Sequence, residues 1–285
     1  MQHQAVCESH NPDPMHITAH YLYSSIPGPF EVNLRVLKDG RATTNLTAEF
    51  IQKGQTRITV QMLFSKLGPA FPATSHTRRI PLREHPSTAP LRALDNTLPF
   101  HVTKANEFFQ LSAEPEIAAW NEDHARGKGN TAAGDDTEAP PPRFGGGGLF
   151  WGGWYTLKDE EDKMTLPMYA ILGDVLLGRD DHDASRGLLD NWHPTLTISI
   201  EFMSALPPTA ARRTVGAFNS GSFFLNAPNK RHNTTIELWS APCNLGDSEF
   251  SETSGWRDEQ VCLAVATQTA MIVPVPDPRK RDIKL

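Results

Sequence analysis

The sequence is poor in the signals that mark the commoner catalytic and binding machineries. Its 285 residues hold three cysteines, Cys7, Cys243 and Cys262, odd in number and scattered. They form neither a disulfide framework nor a paired metal-ligand spacing, and they suit reduced thiols in an intracellular protein. The net charge of −6 gives no global attraction to nucleic acid or an anionic membrane surface. No run approaches the roughly 18 apolar residues of a spanning helix. The opening MQHQAVCESH is too polar for a secretory leader, so the expected location is cytoplasmic. The closing Ile283-Lys284-Leu285 only half resembles a peroxisomal address. Without secretion, the glycosylation patterns at Asn45 and Asn233 read as coincidence. A GxSxG element is absent, which argues against an α/β-type serine hydrolase. The glycine run at 145–148 has no following Lys-Ser/Thr and reads as linker. His10, His16 and His20 lie near one another, but no carboxylate or cysteine completes a metal set. A solvated strand face accounts for them better.

What the sequence does have is strand periodicity. MHITAHYLY alternates, with Ile17, Ala19 and Tyr21 on one face and His16, Thr18 and His20 on the other. FEVNLRVL, RATTNLTAEFIQ and RITVQMLFSKL follow, separated by Asp39-Gly40 and Lys53-Gly54, both turn signals. The region 15–67 is therefore an expected four-stranded antiparallel meander. Rhythm is lost over 68–148, and 120–148 reads as a flexible linker or insertion. LPFHVTKANEFFQL (98–111) fits either a strand or a short helix. Order returns with the aromatic strand GGLFWGGWYTL. After it, Thr165 as N-cap, Pro167 in the first turn and Gly178 as stop predict a helix. That helix is apolar nearly all round, interrupted only by Gly173 and Asp174, and must be covered on most sides. The strands TLTISIEFM, RRTVGAFNS, KRHNTTIELW and EQVCLAVATQTAMIV complete the chain.

The two strand sets look like one unit written twice. Laying Tyr21 over Phe202 puts Ile17 over Ile198 and Thr18 over Ser199. Arg41 and Arg231 each open a Thr-rich strand, and each half closes on a long apolar strand.

A four-stranded meander after a buried helix, given twice around a Pro-rich linker, resembles the double hot-dog acyl-CoA thioesterases of the type II family, in their fungal thioesterase-like branch. The carrying segments are MHITAHYLYSSIPGPFEVNLRVLKDGRATTNLTAEFIQKGQ, GGWYTLKDEEDKMTLPMYAILGD, WHPTLTISIEF, RHNTTIELW and ATQTAM. The resemblance implies an α+β double hot-dog: two antiparallel curled sheets, each wrapping an apolar helix. It divides the chain into an N-terminal hot-dog (1–85), a linker and insertion (86–146) and a C-terminal hot-dog (147–285). Only the stub QHQAVCES precedes the first meander, so the first hot-dog is expected to lack most of its helix. Ile17, Ala19 and Tyr21 would then lose their packing partner, at roughly 25 cal/mol per Å² of apolar area left in water. HNPDPMH echoes the Asn-Pro-x-His element of hydratase-type hot-dogs, but its Asp13 follows the Asn-Pro instead of preceding it.

The implied activity is hydrolysis of an acyl-CoA or a carrier-bound acyl thioester, with no metal or organic cofactor. The family's thioester carbonyl lies near a helix N-terminus, and an Asp, a Ser or Thr, and a Gln hold the hydrolytic water. Gln268 matches the Gln. Thr197 stands at the expected Asp position, and a Thr holds a water but is no general base at neutral pH. Ser220 matches the Ser/Thr, with Asn219 and Ser222 as rivals. Asn219, Arg41 and Arg231 are substrate-binding candidates, the arginines for CoA phosphates. Self-association through the hot-dog sheets is a further expectation. Two other readings stay open. One is a hydratase or acyl-transfer chemistry on the same scaffold; the other is a non-catalytic acyl-binding or dimerisation module.

Overall fold

The computed structural model describes residues 10–68, 79–89, 108–117, 149–174, 191–224, 229–247 and 255–274. The stub ahead of residue 10, the whole 120–148 linker and Gly178 lie outside them. The four strands of the first half stand where alternation puts them: β1 (Asp13–Tyr21), β2 (Glu31–Asp39), β3 (Thr44–Gln52) and β4 (Gln55–Ser65). Lys53 and Gly54, with φ of 51° and 70°, make the two-residue left-handed turn whose twist suits an antiparallel pair. The β2–β3 turn is held by Asn11, whose amide donates to Gly40 O at 2.8 Å and Thr44 Oγ1 at 3.1 Å. The HNPDPMH stretch thus contributes a turn clamp.

The second half supplies β5 (Phe109–Ala113), β6 (Leu149–Leu157), α1 (Leu166–Asp174), β7 (Asn191–Trp192), β8 (Thr195–Phe202), β9 (Thr214–Phe224), β10 (Arg231–Ser240), β11 (Cys262–Met271) and β12 (Val273–Pro274). The two expected sheets are joined edge to edge. One ten-stranded sheet runs β2-β3-β4-β1-β8-β11-β10-β9-β6-β5. The join is the antiparallel β1–β8 pair, in which Thr18 faces Ser199. These are the residues that the sequence repeat superposes. A pseudo-two-fold between them maps β1 on β8, β4 on β11, β3 on β10 and β2 on β9. The ladders refine the alignment. Ile17, Met62 and Leu46 share one row, and Ile198, Gln268 and Thr234 share its counterpart. Arg231 then lies over Thr43 and not over Arg41, because the turn before β3 differs in length.

Cross-strand partners share a face of a sheet, so each row has one environment. On the inner face α1 packs over β8, β10 and β11. Tyr169, Leu172 and Gly173 are buried there against a cluster that includes Ile198, Ile200, Ile236 and Ala266. Gly173 permits this closeness, since a Cβ there would lie 3.0 Å from the Ala266 Cβ. The helix is not wrapped all round: Ile171 is 54% exposed. The expectation for the first half also changes. Ala19 is buried, and Ile17, Tyr21, Ile58 and Val60 pack against the same cluster, which crosses the seam. The exposed large apolar side chains of the first half are Val32, Val36 and Leu37 of β2 and Leu22, Tyr23, Ile26 and Phe30 ahead of it. Residues 10–68 include no helix.

The outer face of the second half carries its own core. Ile80 and Leu82 are fully buried against Trp154, Trp239 and Trp256. Gly216 leaves them room, because a Cβ there would come within 2.9 Å of Leu82 Cδ1. Residues 79–85, read from sequence as the end of the N-terminal unit, thus pack on the C-terminal one. Residues 109–113, read as linker, extend its sheet by pairing with β6.

Candidate active site

Asp174 is the last described residue of α1 and the carboxylate that interrupts its apolar surface. Gln268 Nε2 donates to Asp174 Oδ1 at 2.5 Å and to Thr195 Oγ1 at 2.8 Å. Thr195 Oγ1 donates to the same Asp174 Oδ1 at 3.0 Å. The three side chains close a triangle. Thr234 Oγ1 donates to Gln268 Oε1 at 3.1 Å, which fixes the amide so that its N–H groups point at the carboxylate. Asp174 uses Oδ1 for both described bonds, so Oδ2 is the oxygen left to receive another donor.

Burial raises the Asp174 pKa, and the bonds from Thr195 and Gln268 offset part of that rise. A buried carboxylate poised above its usual range is the arrangement a general base needs. Tyr21, contributed by the first half, is next to the triangle. Burial, then the Asp174 charge, push its phenol up to about 12. His232, in the row of Ala270 and close to Thr195, is fully buried. Its ring centroid is 5.0 Å from that of His193. Burial, then His193, lower its pKa to about 4, so it is neutral at physiological pH.

The structure brings one sequence candidate, Gln268, into this cluster and replaces another. Thr197 pairs with His20 and Thr269, a row of the outer face, away from α1. Regular alternation would send Thr195 outward with it. A register irregularity between Thr269 and Ala270 makes Ala270 the partner of Thr195, and this bulge turns Thr195 inward. Ser220 sits mid-strand in β9 between Thr235 and Phe150. That row also faces outward, so Ser220 is neither in a turn nor near Asp174. Asn219, its neighbour, faces inward and is fully buried. Arg41 and Arg231 do not converge: β3 and β10 are five strand steps apart, roughly 24 Å at about 4.8 Å per step. Arg231 begins β10 beside His232, at the Thr195 end of the sheet. His16 pairs across the seam with Glu201 at 2.7 Å, and His20 is exposed. Among the described residues no group of His, Cys, Asp or Glu is placed to hold a metal ion.

The expected helix N-terminus is not at the carboxylate. Leu166 begins α1 eight residues before Asp174, about 12 Å at 1.5 Å per residue. Among the described residues the first half holds no counterpart of the site. The counterparts of Gln268 and Thr234 in the first half are Met62 and Leu46, both apolar. Sequence reasoning passed over Asp174, Thr195, Thr234 and Tyr21. One signal for Asp174 was available: a lone carboxylate in an otherwise apolar helix needs a reason to be buried.

Residues 1–65 match the family model described as the acyl-CoA thioesterase N-terminal domain. No curated protein matches the sequence. Among solved structures, a protein assigned as a thioesterase II from Thermobifida fusca is similar with a TM-score of 0.61 and 17% identity, over 95% of this chain and 82% of that one. A hot-dog protein from Alicyclobacillus acidocaldarius gives 0.58 and 13%, over 92% and 80%. An acyl-CoA thioesterase II from Mycobacterium marinum gives 0.57 and 14%, over 93% and 82%. The fold is an α+β double hot-dog. No helix among the described residues is long and apolar enough to cross a membrane.

Proposed function

We propose that the chain hydrolyses an acyl thioester, of CoA or of an acyl carrier, with a water activated by Asp174. The observation that carries this is the Asp174–Thr195–Gln268 triangle on the inner face of a thioesterase-like double hot-dog. The water binds at Asp174 Oδ2 and attacks the thioester carbon as its proton passes to that oxygen. The carbonyl oxygen becomes an oxyanion, and the Gln268 Nε2 proton that Thr195 Oγ1 accepts in the resting triangle turns to it as the donor. Collapse breaks the C–S bond. The departing thiolate recovers the proton from Asp174, leaving a carboxylic acid and a free thiol. A covalent acyl-enzyme is not required. Thr234 orients Gln268, and Gln268 orients Asp174, so the four residues act as a unit. Self-association through the sheets and a cytoplasmic location belong to this reading. Thr197 in place of an Asp and the expected shortening of the N-terminal hot-dog speak for a non-catalytic module; the buried Asp174 beside Gln268 supports hydrolysis against it.

Thiol release from acyl-CoAs of several chain lengths tests the proposal. Gln268→Ala is expected to lower kcat by about 10²-fold or more, the scale of one lost oxyanion donor, with the fold retained. Unchanged turnover in that variant rules out the assignment. Binding without thiol release, in the unaltered chain, would favour the acyl-binding module. Gly173→Val supplies a second check. Its side chain meets Ala266 and Ile200 and must lift the end of α1 that carries Asp174. A stability loss of about 1–3 kcal/mol, typical of overpacking, is expected in denaturant titration, together with reduced turnover.

A further inference from the structure

Asn219 is fully buried, and among the described residues neither its Nδ2 nor its Oδ1 has a hydrogen-bond partner. Buried amides are almost always paired, so an orphan one in a folded protein asks for a partner the chain itself does not supply. Its position says which. Asn219 shares its row with Ile236 on β10 and Trp151 on β6, and Ile236 with Ala266 on β11. This is the inner face, one row along from Gln268, Thr234 and Gly221. From strand spacings, the Asn219 and Gln268 Cα atoms lie roughly 12 Å apart. Thr234 and Ile236 on β10 lie between the two positions, and Gly221, the next inward-facing residue after Asn219 on β9, adds no side chain there. α1 meets this row two strands away from Asn219, where Gly173 lies against Ala266 on β11. Around Asn219 the inner face is apolar: Ile236, Leu238 and Ala217. A second orphan faces the same way, the phenol oxygen of Tyr155 on the adjacent β6.

We infer that Asn219 binds an oxygen on the acyl group itself, so that the substrate is a hydroxyacyl or oxoacyl thioester and not a plain hydrocarbon chain. This rests on the hydrolysis reading for the position of the thioester at Asp174. From there, an acyl group lying across β11, β10 and β9 passes over Thr234 and Ile236 and brings a mid-chain or terminal oxygen to the amide. A hydroxyl donates to Oδ1 and accepts from Nδ2; a keto group accepts from Nδ2. A plain chain leaves both atoms desolvated and unpaired, and a site built around a hydrogen bond discriminates strongly against a ligand that lacks it.

The test uses non-hydrolysable thioether analogues of decanoyl-CoA and of hydroxydecanoyl-CoAs with the hydroxyl stepped along the chain. Binding is measured calorimetrically on the full chain, in parallel with thiol release from the matching thioesters. At one or more hydroxyl positions the hydroxylated analogue is expected to bind about 10- to 100-fold tighter than the plain one. Asn219→Leu should abolish or reverse that preference, with its thermal midpoint held or raised. Asn219→Ala is the second variant should Leu fail to fold. Equal binding within about twofold at every position, or a preference that survives in the variant, overturns the inference even if thioesters are cleaved. A preference in thioether binding without thiol release supports it and overturns the hydrolysis reading alone. Failure of every analogue to bind overturns both.

Discussion

Replacing Asp174 by Asn is expected to cut kcat for thiol release by roughly 10²–10⁴-fold, the usual contribution of a positioned general base, while leaving the protein as stable or more stable at neutral pH. Asn keeps an acceptor oxygen for the Gln268 and Thr195 donors, so the triangle survives. What it loses is the basic oxygen. The stability effect follows from the direction of the carboxyl shift. Burial raises the folded-state pKa above its ordinary value of 3.8. The folded state therefore holds the proton more tightly than the unfolded chain does. The stabilisation this brings is complete below the unfolded pKa and is lost as pH rises through the folded one. At neutral pH the ionised side chain carries its desolvation penalty, and Asn does not. Thermal midpoints of both proteins across pH check this: the advantage of Asp174→Asn should shrink in acid. A variant that is inactive because it is unfolded would show a lowered midpoint instead.

Trp154→Ala is expected to destabilise the fold by about 3–5 kcal/mol, the range for emptying a large aromatic from a core. Trp154 is buried on the outer face, with its ring centroid 5.9 Å from that of Trp256. Its Nε1 donates to Glu84 O at 2.9 Å, so truncation both opens a cavity and strands that carbonyl. The effect tests whether segment 79–89 is part of the C-terminal core. A denaturant midpoint that falls accordingly at unchanged m confirms the packing. A loss below about 1 kcal/mol, as expected of a loosely attached linker, denies it.

The repeat was legible in the sequence because it depends on pattern. Alternation in MHITAHYLY and TLTISIEF fixed which side chains share a face, and the repeat laid Thr18 over Ser199; that these equivalent positions also pair, joining the two sheets, came from the structure. The site was legible only in part because it depends on exceptions to pattern. Thr195 faces inward through a bulge, which no periodicity announces. Asp174 comes from a helix, whereas the expected carboxylate was sought on a strand. Ser220 and Asn219 are adjacent, and a shift of one residue decides which meets the interior. The 79–89 segment escaped because its prolines and charges mask two side chains, Ile80 and Leu82, that are fully buried. Its destination is a long-range contact.

The pH dependence of thiol release, measured on the unaltered chain and on Asp174→Asn, tests the central claim most directly. Activity should rise with pH on a limb of unit slope whose midpoint lies above the ordinary carboxylate value, then reach a plateau, and the limb should vanish in the Asn variant. A limb of the same midpoint retained by Asp174→Asn, or no thiol release from any acyl thioester, would contradict it.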